Sequence, residues 1–297
     1  MAMEDSRPVG ARVTEQMVGS STALTAVSWG EREAILYALG VGAGLGAPES
    51  ELHFTTENTG GIDLKVVPSF ITILAAAAPP PALAELDMGR FLHAEQRFEL
   101  FAPLPPKGSG FVRNRVDSVE DKGPGKGAIY RNIATLYADA DCETALAQSG
   151  AAIYVMGGGG FGGPRPASAP YALPDRAPDF TIVQETRPEQ ALLYRLSGDR
   201  HRLHSDPAFA RERDFPRPIL HGLCTYGFAC RALIAAVTGD DPDRLTSMTA
   251  RFVKPVYPGD TLNTQIWLSG NGKAQFRMLN EAGESVLERG NAEFREA

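Results

Sequence analysis

Between Leu223 and Val237, apolar and small side chains recur at spacings of three and four: Leu223, Tyr226, Gly227, Cys230, Leu233, Ile234 and Val237. That period predicts an amphipathic helix about four turns long, starting at or near Gly222. Gly239 and the run Asp240-Asp241-Pro242 end it, because glycine closes a helix readily and proline cannot continue one. After this helix the period changes to two. Residues 245–256, 261–268, 274–279 and 285–294 read as strands, separated by the turn signals Pro258-Gly259-Asp260 and Asn271-Gly272. One helix followed by a four-strand meander argues for an α+β unit with an antiparallel sheet.

The first half has a similar order. Ser28 and Glu31 stand at capping-box spacing before Ile35, Leu36 and Leu39, and Gly40, Gly42 and Gly44 follow. Strand-like runs come next at 52–56, 63–67, 97–102, 110–119, 127–138 and 145–156. Two diverged copies of one unit account for this repetition. The copies would occupy 1–156 and 179–297. They are joined by a Gly/Pro-rich crossover at 157–178, too long for a tight connection and so partly ordered on a surface. Within it, Gly157-x-Gly159-x-x-Gly162 has dinucleotide-site spacing, but Gly163-Pro164-Arg165-Pro166 cannot open the helix that such a site needs. Residues 180–184 and 191–197 then lead into the second helix.

Composition adds exclusions. A net charge of -7 gives no support to nucleic-acid binding, while 43% hydrophobic and 22% charged residues fit an ordinary globular chain. No apolar run reaches the roughly 18–20 residues of a membrane span; the longest candidate, 70–78, runs into Pro79-Pro80-Pro81. Three cysteines make no disulfide framework, and the N-terminus lacks the order of a secretory signal. The C-terminal residues are not a peroxisomal tripeptide. A cytoplasmic protein is the expectation. Trp29 and Trp267 are expected as core anchors.

Candidate chemistry is concentrated just before the second helix. Asp199, His201, His204 and Asp206 fall within eight positions. Asp199 and His204 are five apart, which on a helix puts them on different faces. If they cooperate they must sit on a turn, which Gly198 allows, with Ser205-Asp206-Pro207 restarting helix. A carboxylate and an imidazole so held can share a water and move its protons; the alternative is a pair that only stabilises its loop. The cluster also carries metal-ligand types. Its spacing is not helical, though, and Asp206 is better used as a cap, so no metal is expected. His221 precedes Gly222, whose N–H at a helix start suits an anion or oxyanion. His221 itself reads either as a substrate contact or as a packed residue holding the turn, and the packed role is the expectation.

The pattern YRLSGD…LH.DP.FA…PILHGLCTYGFA (194–229) resembles the type 2, (R)-specific enoyl-CoA hydratases of the MaoC-like dehydratase group. ILYALGVGAG (35–44) and LKVVPSF (64–70) resemble the first half of that family. The resemblance implies a tandem hot-dog fold, two antiparallel sheets each wrapped around a long helix. It also implies reversible addition of water to a trans-2-enoyl-CoA, giving an (R)-3-hydroxyacyl-CoA. Asp199 and His204 match the catalytic pair and Gly222 the oxyanion-binding glycine. The family pattern Gly-Asp-x-Asn-Pro-Leu-His is broken by His201 and Arg202 at the Asn and Pro positions. His201 offers one donor for positioning water or substrate, but it is larger and can carry charge.

Arg200, Arg202 and Lys254 are candidate contacts for coenzyme A. An N-terminal repeat with no such pair of its own would make room for a long or bulky acyl tail. Fatty-acid or sterol-side-chain β-oxidation, by a homodimer without metal or redox cofactor, is the implied setting. The rivals are a dehydratase of acyl-chain synthesis, a thioesterase, and an acyl-CoA-binding subunit without activity.

Overall fold

Ten strands and six helices are laid out along the chain in a computed structural model that describes residues 13–81, 91–166 and 170–296. The strands are β1 (Thr25–Trp29), β2 (Phe91–Leu100), β3 (Gly108–Asp121), β4 (Ala128–Tyr137) and β5 (Ala145–Val155), then β6 (Phe180–Glu185), β7 (Leu245–Phe252), β8 (Thr261–Gly270), β9 (Lys273–Leu279) and β10 (Ser285–Phe294). The helices are α1 (Glu31–Gly40), α2 (Leu52–Thr55), α3 (Ile71–Ala75), α4 (Gln190–Tyr194), α5 (Pro207–Arg211) and α6 (Gly222–Val237).

All ten strands form one antiparallel sheet in the order β1-β3-β4-β5-β2-β7-β10-β9-β8-β6. Read from its two edges inward, the first half runs β1-β3-β4-β5-β2 and the second β6-β8-β9-β10-β7. The strand order is therefore the same in both repeats. The two expected sheets are the halves of one, fused where β2 pairs β7, with Gln96 opposite Ala250 and Phe98 opposite Met248. Glu95 strengthens this seam. It accepts from Arg251 of β7 at 2.9 Å and from Arg131 of β4 at 2.6 Å.

Helix α6 is the centre of packing because its sequence is apolar on nearly all sides. Ten of its residues are buried, among them Tyr226, Phe228, Leu233 and Ile234. Burying each large apolar side chain contributes about 1.5–3 kcal/mol. Tyr226 meets Phe98 edge-on and donates its hydroxyl to the Met248 carbonyl at 2.6 Å. Where α6 passes the end of α1, a β-carbon on Gly227 would stand 2.3 Å from Val41 Cγ1. Only glycine permits that approach.

Several expectations need correction. Ser28 does not cap α1; it lies in β1, a strand held by the buried Trp29, and Gly30 takes the cap with Glu33 accepting its N–H at 3.0 Å. The run 52–56 forms the single helical turn α2 instead of a strand, and 63–67 forms no strand. Val66 and Val67 are buried in the core, as their apolar character demands, but beside them the Lys65 N–H bonds the His53 carbonyl of α2 and not a strand. Residues 191–197 are helical, in α4 and a 3-10 turn. Strand β2 begins at Phe91, earlier than the expected 97.

Both tryptophans are buried, as are Cys224 and Cys230. In the crossover, Asp121 collects the N–H groups of Gly123, Gly160 and Gly162, each at 2.7 Å. Those bonds pull its pKa down to about 2. The glycine-rich segment is thereby docked on the end of β3, with two of its amides already committed. Among the described residues no helix is long and apolar enough to cross a membrane. The terminal segments read above for targeting signals fall partly outside the described residues, at 1–12 and 297.

Candidate active site

The loop before α5 folds as its residues dictate. Gly198 takes φ +139°, closing the 3-10 turn Arg195–Ser197. Asp199 Oδ1 then accepts the His201 N–H at 3.0 Å, a local turn that short acidic side chains favour. His201 caps the next 3-10 turn, Arg202–His204, by accepting the Leu203 N–H on Nδ1 at 3.3 Å. Asp206 caps α5 through the N–H groups of Ala208 and Phe209 at 2.9 and 3.1 Å. The spacing of five that a helix would splay is thus bent onto one side.

His204 turns inward. Its Nδ1 donates to the Ile219 carbonyl at 2.9 Å, so the neutral ring carries its lone pair on Nε2. Burial lowers its pKa below the usual imidazole value, assisted by His201 and opposed by the Ile219 carbonyl and the charge of Asp199. His221 stacks on it, with ring centroids 3.7 Å apart and planes 26° apart. Its Nε2–H donates to the Asp199 carbonyl at 3.1 Å. Burial, then the neighbouring His204, depresses the His221 pKa to about 3, so that ring is neutral.

One carboxylate oxygen of Asp199 and one ring nitrogen from each of His204 and His221 lie within 4.8 Å of one another. One water can touch both Asp199 and His204 across such a gap. The same three groups suit a metal poorly. Lone pairs lie in the ring planes, and two nearly parallel stacked rings cannot aim theirs at one ion.

Gly222 opens α6 beside this pair. Its N–H and that of Leu223 have no acceptor among the described residues. A 16-residue helix brings a partial positive charge to that end. Both residues face a cavity of about 2010 Å³, which is also lined by Asp199, His201 and His204.

The other candidates separate. Lys254 lines the cavity, ion-paired to Glu284. Arg200 and Arg202 do not line it; Arg202 pairs with Asp206 at 2.6 Å and lies over the Phe209 ring at 4.8 Å. Further cations on the cavity wall are Lys122, Arg131, Arg213, Arg251 and Arg289, of which Arg131 and Arg251 are joined through Glu95. His93 of β2 is also there. It donates Nε2–H to the Glu95 carbonyl at 3.1 Å and packs on Phe252 with centroids 4.8 Å apart. Burial lowers its pKa to about 4. No local pattern marks it, since the β2–β7 seam alone brings it to the site. The N-terminal repeat therefore builds part of the cavity wall.

Residues 28–157 match the MFE-2 hydratase 2 N-terminal domain, and residues 170–289 match the MaoC like domain. The chain is 44% identical to 3-hydroxyacyl-thioester dehydratase Y of Mycobacterium tuberculosis, over 88% of this chain and 89% of that protein. It is 36% identical to the peroxisomal enoyl-CoA hydratase 2 of Arabidopsis thaliana, over 89% of each. The crystal structure of a MaoC-like dehydratase from Phytophthora capsici superposes with a TM-score of 0.84 at 30% identity, covering 96% of this chain and 98% of that one.

Proposed function

The chain belongs to the MaoC-like dehydratase family, with a hydratase 2 N-terminal domain, and is a hydro-lyase; on that premise we propose that it adds water reversibly to trans-2-enoyl-CoA thioesters, giving (R)-3-hydroxyacyl-CoA. The observation that carries this reading is the placement of Asp199 and His204 within one water's reach, beside an unpaired helix-start amide at Gly222.

A water held between the carboxylate and Nε2 of His204 loses a proton to this pair as its oxygen bonds to C3. The C2–C3 double-bond electrons move toward the thioester, whose oxygen gains charge. The Gly222 N–H stabilises that charge as a fixed dipole that needs no reorganisation. The pair then returns one proton to C2, so the net change is addition of one water. The thioester supplies the activation, and the reading asks for no metal or redox group.

The cavity exceeds the roughly 300–1,000 Å³ of ordinary small-ligand pockets. That size supports medium- or long-chain, branched or sterol-side-chain acyl groups. Removal of water is the same reaction run backward on the same residues. We further read the protein as a cytoplasmic homodimer.

The test follows the enoyl-thioester absorbance with crotonyl- and decenoyl-CoA. Wild type should bleach it, while Asp199→Asn and His204→Ala should each lose about 10²–10⁴-fold in kcat. Release of free thiol would instead mark a thioesterase. Wild type that binds acyl-CoA yet leaves the absorbance unchanged would sink the hydratase reading in favour of a binding subunit.

A further inference from the structure

We propose that His221 is a positioning residue for the acid–base pair, tethering the Asp199 backbone through Nε2–H and fixing the plane of the His204 ring by stacking. This rests on the hydratase reading of the site.

The observations are geometric. His221 is 1% exposed and closes the strap that carries Ile219. One contact of its ring is the His204 ring, at 3.7 Å; another is Tyr194, at 4.9 Å and tilted by 51°. Its Nε2–H reaches the Asp199 carbonyl at 3.1 Å. Asp199 is otherwise exposed, and among the described residues its carboxylate accepts only from the exposed turn at His201. Among the described residues, His221 is thus the one buried group bonded to Asp199.

An imidazole is a costly filler here. Its Nδ1 is buried with no partner among the described residues, and an unmet buried acceptor is penalised. A phenyl or isobutyl side chain would fill the space without that penalty. What imidazole adds is one ring that can stack on the base and also donate to the backbone of the acid. Reacting groups misplaced by about 1 Å cost on the order of 10²-fold, so a residue that sets both partners acts on turnover rather than on binding.

The test has two arms. The first uses ¹⁵N-edited NMR on wild type, which has five histidines to assign, with His221→Gln identifying one. His221 should be the Nε2–H tautomer and His204 the Nδ1–H tautomer. A His221 protonated on Nδ1, alone or in addition, at neutral pH overturns the proposal. This arm needs no turnover, so a wild type that fails to hydrate enoyl-CoA would defeat the hydratase reading without touching it.

The second arm is kinetic. His221→Ala should lose about 10–100-fold in kcat with KM within about twofold. His221→Gln keeps a donor for Asp199 and should recover part of that loss. An alanine variant within about twofold of wild type in kcat, or a glutamine variant no better than alanine, overturns the tether. If the variants do not fold, the wild-type spectrum still decides.

Discussion

Phe252 Cε1 lies 3.2 Å from where a β-carbon on Gly222 would stand. The end of β7 and the start of α6 therefore meet at the candidate oxyanion amide with no room to spare. Gly222→Ala leaves the N–H in place but pushes the ring. We expect kcat/KM to fall about tenfold with little change in Tm, and Gly222→Ala combined with Phe252→Leu to recover part of the loss. Steady-state kinetics on the single and double variants check this.

Activity should persist into mild acid. In the proposed mechanism His204 must be neutral to accept a proton, and burial lowers its pKa. The acid limb of kcat/KM should therefore fall below the ordinary imidazole value of about 6.5. His201 adds to this depression, so His201→Asn should move the limb upward. A pH–rate profile of both proteins measures it.

Stability has a matching sign. The folded-state pKa of His221 is about 3 and that of His93 about 4, both below their unfolded values. Between those values and about 6.5 the unfolded chain binds more protons, so stability is full above about 6.5 and is lost as pH falls through this window. The loss should be on the order of a few kcal/mol, read as a falling urea midpoint between pH 7 and 4. His93→Phe should flatten part of the slope.

Glu95 sits between Arg131 of one repeat and Arg251 of the other. Burial opposes its ionisation, and the two guanidiniums overcome that, holding its pKa below the usual range. Glu95→Gln removes the carboxylate that pairs Arg251 and leaves Arg131 with Glu120. After allowance for solvent at these half-exposed arginines, we expect a loss of about 1–2 kcal/mol, and a Tm lower by about 2–8 °C. Calorimetry is the measurement.

At Gly227 the limit is packing alone. With Val41 Cγ1 2.3 Å from the added methyl, Gly227→Ala should cost about 1–3 kcal/mol. Val41→Ala in the same chain should return part of it, since it removes the atom in the way.

Some of this protein was legible along the chain because the interactions that make it are local. The period of three and four in 223–237 is enough to place α6, but the expected amphipathic stripe is not what the fold uses: residues 224–230 are all buried, because the helix is enclosed on nearly all sides. Asp206 before Pro207 marks the start of α5. The bend that brings Asp199 toward His204 is set by Gly198 and by side chains that bond to backbone two residues on. The alternation in β8, β9 and β10 is equally local.

What only the tertiary structure decided involves residues distant in sequence. Residues 63–67 look like a strand, but a strand needs a strand partner, and here the Lys65 N–H bonds the His53 carbonyl in α2 instead. Nothing near His93 or Arg131 marks them as part of a site, because the pairing of β4 with β5, β5 with β2 and β2 with β7 carries them there. Nor does the string of residues 199–221 show that His221 lies flat on His204. Turns and helices are written in near neighbours, whereas a cavity wall is assembled from side chains whose adjacency exists only once the sheet has closed.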